Sequence, residues 1–468
     1  MTQIISIGID LGTTTTQVII SKLTMERKTS GAAIPEIVIT EKNVIYQSKI
    51  HFTPLTDNHR IDFEAVKELI DNEYILSGFK PEEIHTGAVI ITGETARKEN
   101  AQFVIENLAE FAGDFVVSTA GPDLEAVLAG YGSGCHANSK QLHGNLINFD
   151  IGGGTTNAAI FFNGELKDAF ALDIGGRLIR FDNDGTINYI APRIIPLINH
   201  LNLDIAVGNP INFNSLSHIC HRFAEMFLEL IGASPITNDT QQLFIQHNYQ
   251  KLPVETVSFS GGVAEFIYGN TPIVHFSQLV YNDIGPLLGY WIQMVFKEHQ
   301  IPLIEPAEKI RATVIGAGSH TLKLSGSTIT CFDDALPLKN IPVIRPFEDK
   351  NNEDNRQLEK EITEKLKLYD EQPVAIAFQG HKAPGYYEIK QIAEQIVTSL
   401  QKREHPIIVV VMHDFAKALG QTIANMTLQQ KPVICLDRID VKGGDYIDIG
   451  RPVSGVIPVI VKTLVFNT

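Results

Sequence analysis

Asp10-Leu11-Gly12-Thr13-Thr14-Thr15-Thr16-Gln17 and Asp150-Ile151-Gly152-Gly153-Gly154-Thr155-Thr156-Asn157 match each other position by position without a gap. Each follows an apolar run that reads as a buried strand, Ile4 to Ile9 in the first case and Leu146 to Phe149 in the second. Each is followed by another, Val18-Ile19-Ile20 and Ala158 to Phe162. The repeated unit is strand, Gly/Thr turn, strand, with an acid closing the first strand. One Asp-x-Gly-x-x-Thr describes any tight hairpin. Two in-register copies behind buried strands describe a paired site.

The turn chemistry points to phosphate. Glycines allow close backbone approach. Successive N–H groups in such a turn form an anion nest, and Thr hydroxyls add donors. A strand-end Asp would repel a bare phosphate, so it makes sense beside a divalent cation. Mg²⁺ takes a few carboxylates plus waters and phosphate oxygens. Hairpins on two lobes could grip one polyphosphate from both sides.

At 468 residues the chain exceeds one ordinary domain, and its 44% hydrophobic content supports sizeable cores. A formal net charge of −16 argues against nucleic-acid or anionic-membrane partners. The four cysteines, Cys135, Cys220, Cys331 and Cys435, are scattered without a Cys-x-x-Cys pair. That favours reduced buried thiols over zinc or disulfides. The N-terminus shows no signal-peptide pattern, and no apolar run approaches the ~20 residues of a membrane span. The expectation is a soluble protein of the cytoplasm, or one enclosed in a compartment within it.

Pro122 to Gly130 reads as a short helix of small residues, with Pro at its start and Gly at its end. Ala312-Thr313-Val314-Ile315-Gly316-Ala317-Gly318 has the same character. Between them, Val257 to Ser260 is a buried strand entering Gly261-Gly262 and opening a helix at Ala264-Glu265, a geometry whose N–H groups suit a phosphate or a nucleoside edge. Strand and helix patterns alternate again from Val374 to Leu436. The expected units are residues 1–140, 141–329 and 330–468. The charged run Asp349 to Lys367 reads as a solvated face.

This order of motifs resembles the ATPase superfamily of actin, hexokinase and the heat-shock chaperones. The resemblance implies an α/β fold of duplicated actin-like (ribonuclease H-like) lobes, with an additional C-terminal α/β region. Ile91 to Lys98, Phe149 to Asn157, Phe259 to Val263 and Tyr446 to Pro452 are more closely similar to the ethanolamine ammonia-lyase reactivating factors (the EutA family). That likeness implies an ATP- and Mg²⁺-dependent chaperone that releases damaged cobalamin from adenosylcobalamin-dependent ethanolamine ammonia-lyase, often in a bacterial microcompartment.

The resemblance also implies roles. The amides of Gly12, Thr13, Thr14 and Thr15, and of Gly152, Gly153, Gly154, Thr155 and Thr156, would hold the phosphates. Asp10 and Asp150 would place Mg²⁺ through its waters. Glu125 would orient the attacking water or contact metal, with Asp123 the competing choice. Gly261, Gly262 and Glu265 would face adenosine. Related diol dehydratase reactivases imply a second cation site, to which Glu125 and Asp173 would contribute. Asn157 stands there where an Asp is expected, which weakens the site.

Other residues read more plainly. His381-Lys382 looks like a contact loop, His413-Asp414 a cap, and Trp291 core. Phe266 and Tyr268 also read as core. A small-molecule kinase and a non-hydrolysing nucleotide-binding scaffold are the competing functions. Neither finds its own constellation: no second base for a kinase, no amphipathic tail for a membrane scaffold. The oligomeric state is open, a homodimer being one arrangement.

Overall fold

Strand β1 (Thr2–Leu11) is a strict alternation in which Ile7, Ile9 and Leu11 are fully buried on one face. It turns back into β2 (Thr15–Lys28), which pairs antiparallel with β3 (Glu36–Gln47) and with the short β4 (His51–Phe52). On its other side β1 runs parallel to β5 (Thr86–Ile91), which in turn pairs with β6 (Val116–Thr119). The sheet order is β3-β2-β1-β5-β6. Helix α1 (Phe63–Ser77), capped by the Asp62 carboxylate on Ala65 N–H at 3.1 Å, lays Val66, Ile70 and Tyr74 on the buried face.

The second lobe repeats this plan. Strands β7 (Leu146–Ile151), β8 (Thr156–Phe162) and β9 (Glu165–Leu172) are antiparallel, and β10 (Thr256–Ser260) and β11 (Leu303–Ile304) add in parallel. The order β9-β8-β7-β10-β11 is that of the first sheet. Helices α3 (Phe213–Leu230) and α4 (Gly285–Glu298) cover its outer face. There Phe149 meets Phe227 at 4.9 Å and Phe259 meets Phe296 at 5.3 Å, edge to face. Trp291 donates its indole N–H to Ser217 Oγ at 2.9 Å and packs against this core.

Two helices join the lobes. α2 (Pro122–Gly132) follows the first sheet in sequence but packs on the second, against β7, β8 and β9. α5 (Ala312–His320) follows the second sheet but packs on β1, β2 and β5. They cross backbone to backbone. A Cβ at Gly132 would lie 1.7 Å from the Ala312 carbonyl oxygen, and one at Gly316 would lie 2.0 Å from that of Leu128. The small residues noticed in both helices are what this crossing requires.

A third sheet begins with β12 (Leu322–Ser325), just after α5 and ahead of residue 330, where the C-terminal unit was expected to open. Its order is β12-β18-β17-β13-β14-β15-β16, with β13 (Leu338–Ile344), β14 (Ala375–Phe378), β15 (Ile407–Val411) and β16 (Val433–Asp437) parallel. β17 (Tyr446–Ile449) and β18 (Ile457–Lys462) close the antiparallel side. α6 (Leu358–Leu366), α7 (Tyr386–Leu400) and α8 (Ala416–Met426) cover one face. Ile460 of β18 packs with Ile4, Leu23 and Met25, seating this unit on the first lobe.

The computed structural model describes residues 2–12, 15–28, 36–57, 60–91, 99–101, 103–104, 107–108, 116–119, 122–245, 252–269, 271–320, 322–325, 335–347, 357–367, 369, 372–452 and 457–462. Thr13, Thr14, the phrase Thr92 to Lys98, Cys331 and the first part of the charged run after Asp349 lie outside them, as does the Asp123 side chain. Cys135, Cys220 and Cys435 are buried free thiols.

Candidate functional site

The twin hairpins superimpose in register. Asp10 stands opposite Gln17 in the ladder and Asp150 opposite Asn157. Gly12 N–H donates to Thr15 C=O at 2.9 Å, and Gly152 N–H to Thr155 C=O at 2.9 Å. The internal repeat seen in sequence is therefore a repeat of hydrogen bonding.

The protein holds each loop from behind. Gly176 N–H donates to Gly152 C=O at 2.9 Å and Arg177 N–H to Gly153 C=O at 2.7 Å, while Thr156 Oγ1 donates to Ile174 C=O at 2.7 Å. Gly175 lies so near that a Cβ there would be 2.4 Å from the Gly153 carbonyl oxygen. In the first lobe Thr53 Oγ1 donates to Gly12 C=O at 2.8 Å and lies 3.1 Å from Thr16 Oγ1. With the carbonyls engaged, the N–H groups of Gly153, Gly154 and Thr155 find no acceptor among the described residues. All three residues are partly exposed. Three successive unmatched N–H groups form a concave anion site.

Asp150 ties three motifs together. Its Oδ1 accepts from Ser260 Oγ at 2.5 Å and its Oδ2 from Thr313 Oγ1 at 3.1 Å. Asn148 Nδ2 donates to the same Ser260 oxygen at 2.9 Å. Asp150 is only 6% exposed, and burial pushes its carboxyl up to about 6 against the pull of the two hydroxyls. Asp10 is less buried. Its ladder partner Gln17 donates through Nε2 to Ile310 C=O at 3.4 Å, and Gln17 Oε1 is buried with no partner among the described residues.

The Gly261-Gly262 turn sits against the second hairpin. Gly261 adopts φ +83°, and a Cβ there would be 2.3 Å from the Ile151 carbonyl oxygen. Only glycine fits. Gly261 N–H donates to Lys309 C=O at 3.0 Å, and Gly262 is open beyond the end of the Ile310 side chain. Glu265 is half-exposed, 3.8 Å from Lys309 Nζ. Tyr268 is structural: its hydroxyl accepts from Phe259 N–H at 3.0 Å and donates to Ile304 C=O at 2.8 Å.

One short segment, Lys309 to Thr313, touches both lobes. Lys309 reaches Gly261, Ile310 reaches Gln17, and Thr313 reaches Asp150; Arg311 Nη2 donates to Ser48 C=O at 3.3 Å. Motif reading covered Thr313 only as a small helix residue and missed Thr53, Ser48, Lys309 and Arg311. Nothing in their local sequence marks them, since their partners are far away along the chain.

Glu125 lies on α2, 9% exposed, on the helix that packs against β8 and β9. Asp173 follows β9 and accepts from Arg193 Nε at 2.9 Å, so the positive charge at that carboxylate is a guanidinium. Among the described residues no group of three or more His, Cys, Asp or Glu could hold a metal ion. Farther off, His381 pairs with Glu388 at 2.6 Å. Asp414 pairs with Arg438 at 3.2 Å, and burial beside Asp437 raises the Asp414 carboxyl.

Paired lobes with one strand order, crossed connecting helices and twin Gly/Thr hairpins define a protein of the actin-like ATPase fold. The chain matches the family model for the ethanolamine utilisation protein EutA over residues 2–467, and it belongs to that family. It is 36% identical to an ethanolamine ammonia-lyase reactivase of Salmonella typhimurium, over 99% of both chains. It is 35% identical to that of Escherichia coli, again over 99% of both. Among solved structures, a Ppx/GppA family member from Aquifex aeolicus is similar at 15% identity and a TM-score of 0.42, covering 67% of this chain and 97% of that one. No helix among the described residues is long and apolar enough to cross a membrane.

Proposed function

We propose that this chain is a reactivase of ethanolamine ammonia-lyase, using ATP and Mg²⁺ to drive release of damaged cobalamin from that enzyme. Kinship along the whole length with two relatives of that name supports the lyase as partner. The unmatched amides of Gly153, Gly154 and Thr155 carry the nucleotide part of the reading.

The residues present fit both groups. Those amides, with the twin loop at Gly12, bind the phosphates. Asp10 and the orphaned Gln17 Oε1 offer a carboxylate and a buried acceptor to a hard cation or its water. Each Asp150 oxygen accepts one bond and retains lone-pair capacity for an ion's water. Bound Mg²⁺ would neutralise charge on the phosphates. Glu125, on the helix between the lobes, orients the attacking water. Gly261, Gly262 and Glu265 form the nucleoside side. Nucleotide binding and hydrolysis would bias closure of the lobes, and the lyase would respond through a difference in affinity for the two states. The protein works in the cytoplasm or in the lumen of a protein-shelled compartment.

The kinase and scaffold readings gain no comparable support. The test is restoration of a cyanocobalamin-blocked lyase by purified protein with Mg-ATP. Recovery of deamination with ATP, and none without it, is expected. No recovery with ATP overturns the reading.

A further inference from the structure

Arg193 carries no motif, yet its placement is specific. It lies in the Pro192–Ile194 turn, which is anchored by Ala191 N–H on Leu178 C=O at 2.7 Å and by the fully buried Ile194. Its Nε donates to Asp173 Oδ2 at 2.9 Å. Leu172 pairs with Thr156, so Asp173 follows at the edge of the second phosphate loop, across from Thr155. Leu172 and Ile174 point into the lobe core. Asp173 falls between them, one residue past the end of β9, and its carboxylate meets Arg193.

The Asp173 side chain is 15% exposed and that of Arg193 61%. The guanidinium has five donors. One is spent on Asp173, and the others meet no acceptor among the described residues. The matching position in the first lobe, opposite Thr15, is Phe52, exposed and uncharged. The asymmetry is chemical: among the described residues, the second loop has an arginine clamped beside this position and the first does not, its nearest ionisable pair being His51 with Glu73. An Asp alone at that rim would oppose an anion. With Arg193 attached the pair is neutral, and a planar donor fork is left for phosphate oxygens.

We propose that Arg193 is a phosphate-binding residue of the cleft, clamped by Asp173 beside the second hairpin and directed at the terminal phosphate of a nucleoside triphosphate. This assignment rests on the nucleotide reading above. The test is calorimetric titration of the full chain with ATP and with ADP, in the wild type and in Arg193→Ala, Arg193→Lys and Asp173→Asn. In Arg193→Ala the preference for ATP over ADP should fall roughly tenfold or more. Arg193→Lys should recover part of it, and Asp173→Asn, which frees the fork, should fall between. Arg193 is exposed enough that folding should survive its replacement; were Arg193→Ala not to fold, the other two variants carry the same comparison. An unchanged ATP-to-ADP ratio in the folded variants overturns the role of Arg193 while leaving the nucleotide reading intact. A wild type that binds neither nucleotide overturns both.

Discussion

Thr313 donates its hydroxyl to Asp150 at 3.1 Å, joining the helix that packs on the first lobe to the second lobe's Gly/Thr hairpin. These residues lie far apart in sequence and belong to different motifs. Their bond ties the acid of one hairpin to a helix seated on the opposite lobe.

Thr313→Val removes that donor at almost constant shape. Asp150 keeps Ser260 but loses half its hydrogen bonding in a buried setting. A loss of about 1–3 kcal/mol is expected, since the lost bond is to a charged group. A thermal melt against wild type measures it. Thr313→Ser, which keeps the hydroxyl, should retain most of the stability.

Gly316→Ala places a methyl group 2.0 Å from the Leu128 carbonyl, a distance no real contact adopts. The helices must part, at a cost of about 1–3 kcal/mol or more. Gly134→Ala is the control. Its φ of +81° is strained for alanine but nothing lies within 4 Å, so about 1 kcal/mol is expected. Equal melting shifts for the two would contradict the tight crossing.

Asp283 supplies the pH dependence. It is buried, accepts from Gly285 N–H at 2.9 Å and lies 3.7 Å from Arg177 Nε. Burial outweighs those partners and pushes its carboxyl up to about 6. A carboxyl raised in the fold binds its proton more tightly there than in the unfolded chain. Its contribution is therefore full below the unfolded value of about 4 and is lost as pH rises through about 6. Asp283→Asn, which keeps the acceptor for Gly285, should gain stability relative to wild type between those two pH values and stay level above. Melting temperatures of both proteins across that window check the sign.

Asp10→Asn keeps the size of the side chain and removes its charge. If Asp10 helps hold the ion, nucleotide affinity should lose most of its Mg²⁺ dependence while binding in EDTA is unchanged. Titration of nucleotide with and without Mg²⁺ separates this from a folding defect. A variant with wild-type Mg²⁺ dependence would remove Asp10 from the ion site.

The hairpins were legible because their chemistry is local. Gly12 and Gly152 close on Thr15 and Thr155 three residues on, and the flanking apolar alternation places each acid at a strand end. Gly261 was legible for the same reason: a strand running into Gly-Gly has few turns open to it. The groups that steady the loops were not. Thr53, Arg177 and Thr313 are ordinary residues in ordinary segments, and each matters only through a partner that folding brings near. Asp173 shows the limit most plainly. A family resemblance implied a metal ligand there, and its neighbour in space is an arginine.

Sequence by itself determined the paired strand–turn–strand units, their shared register and the small residues that permit two helices to touch, because periodicity and turn stereochemistry act over a few residues. Tertiary structure alone decided that α2 and α5 exchange lobes, that Asp150 is shared by Ser260 and Thr313, and that Arg193 pairs with Asp173. Those outcomes depend on which distant surfaces bury each other, and hydrophobic burial is non-directional. It specifies that faces must meet, and only the packed chain settles which polar groups meet along with them.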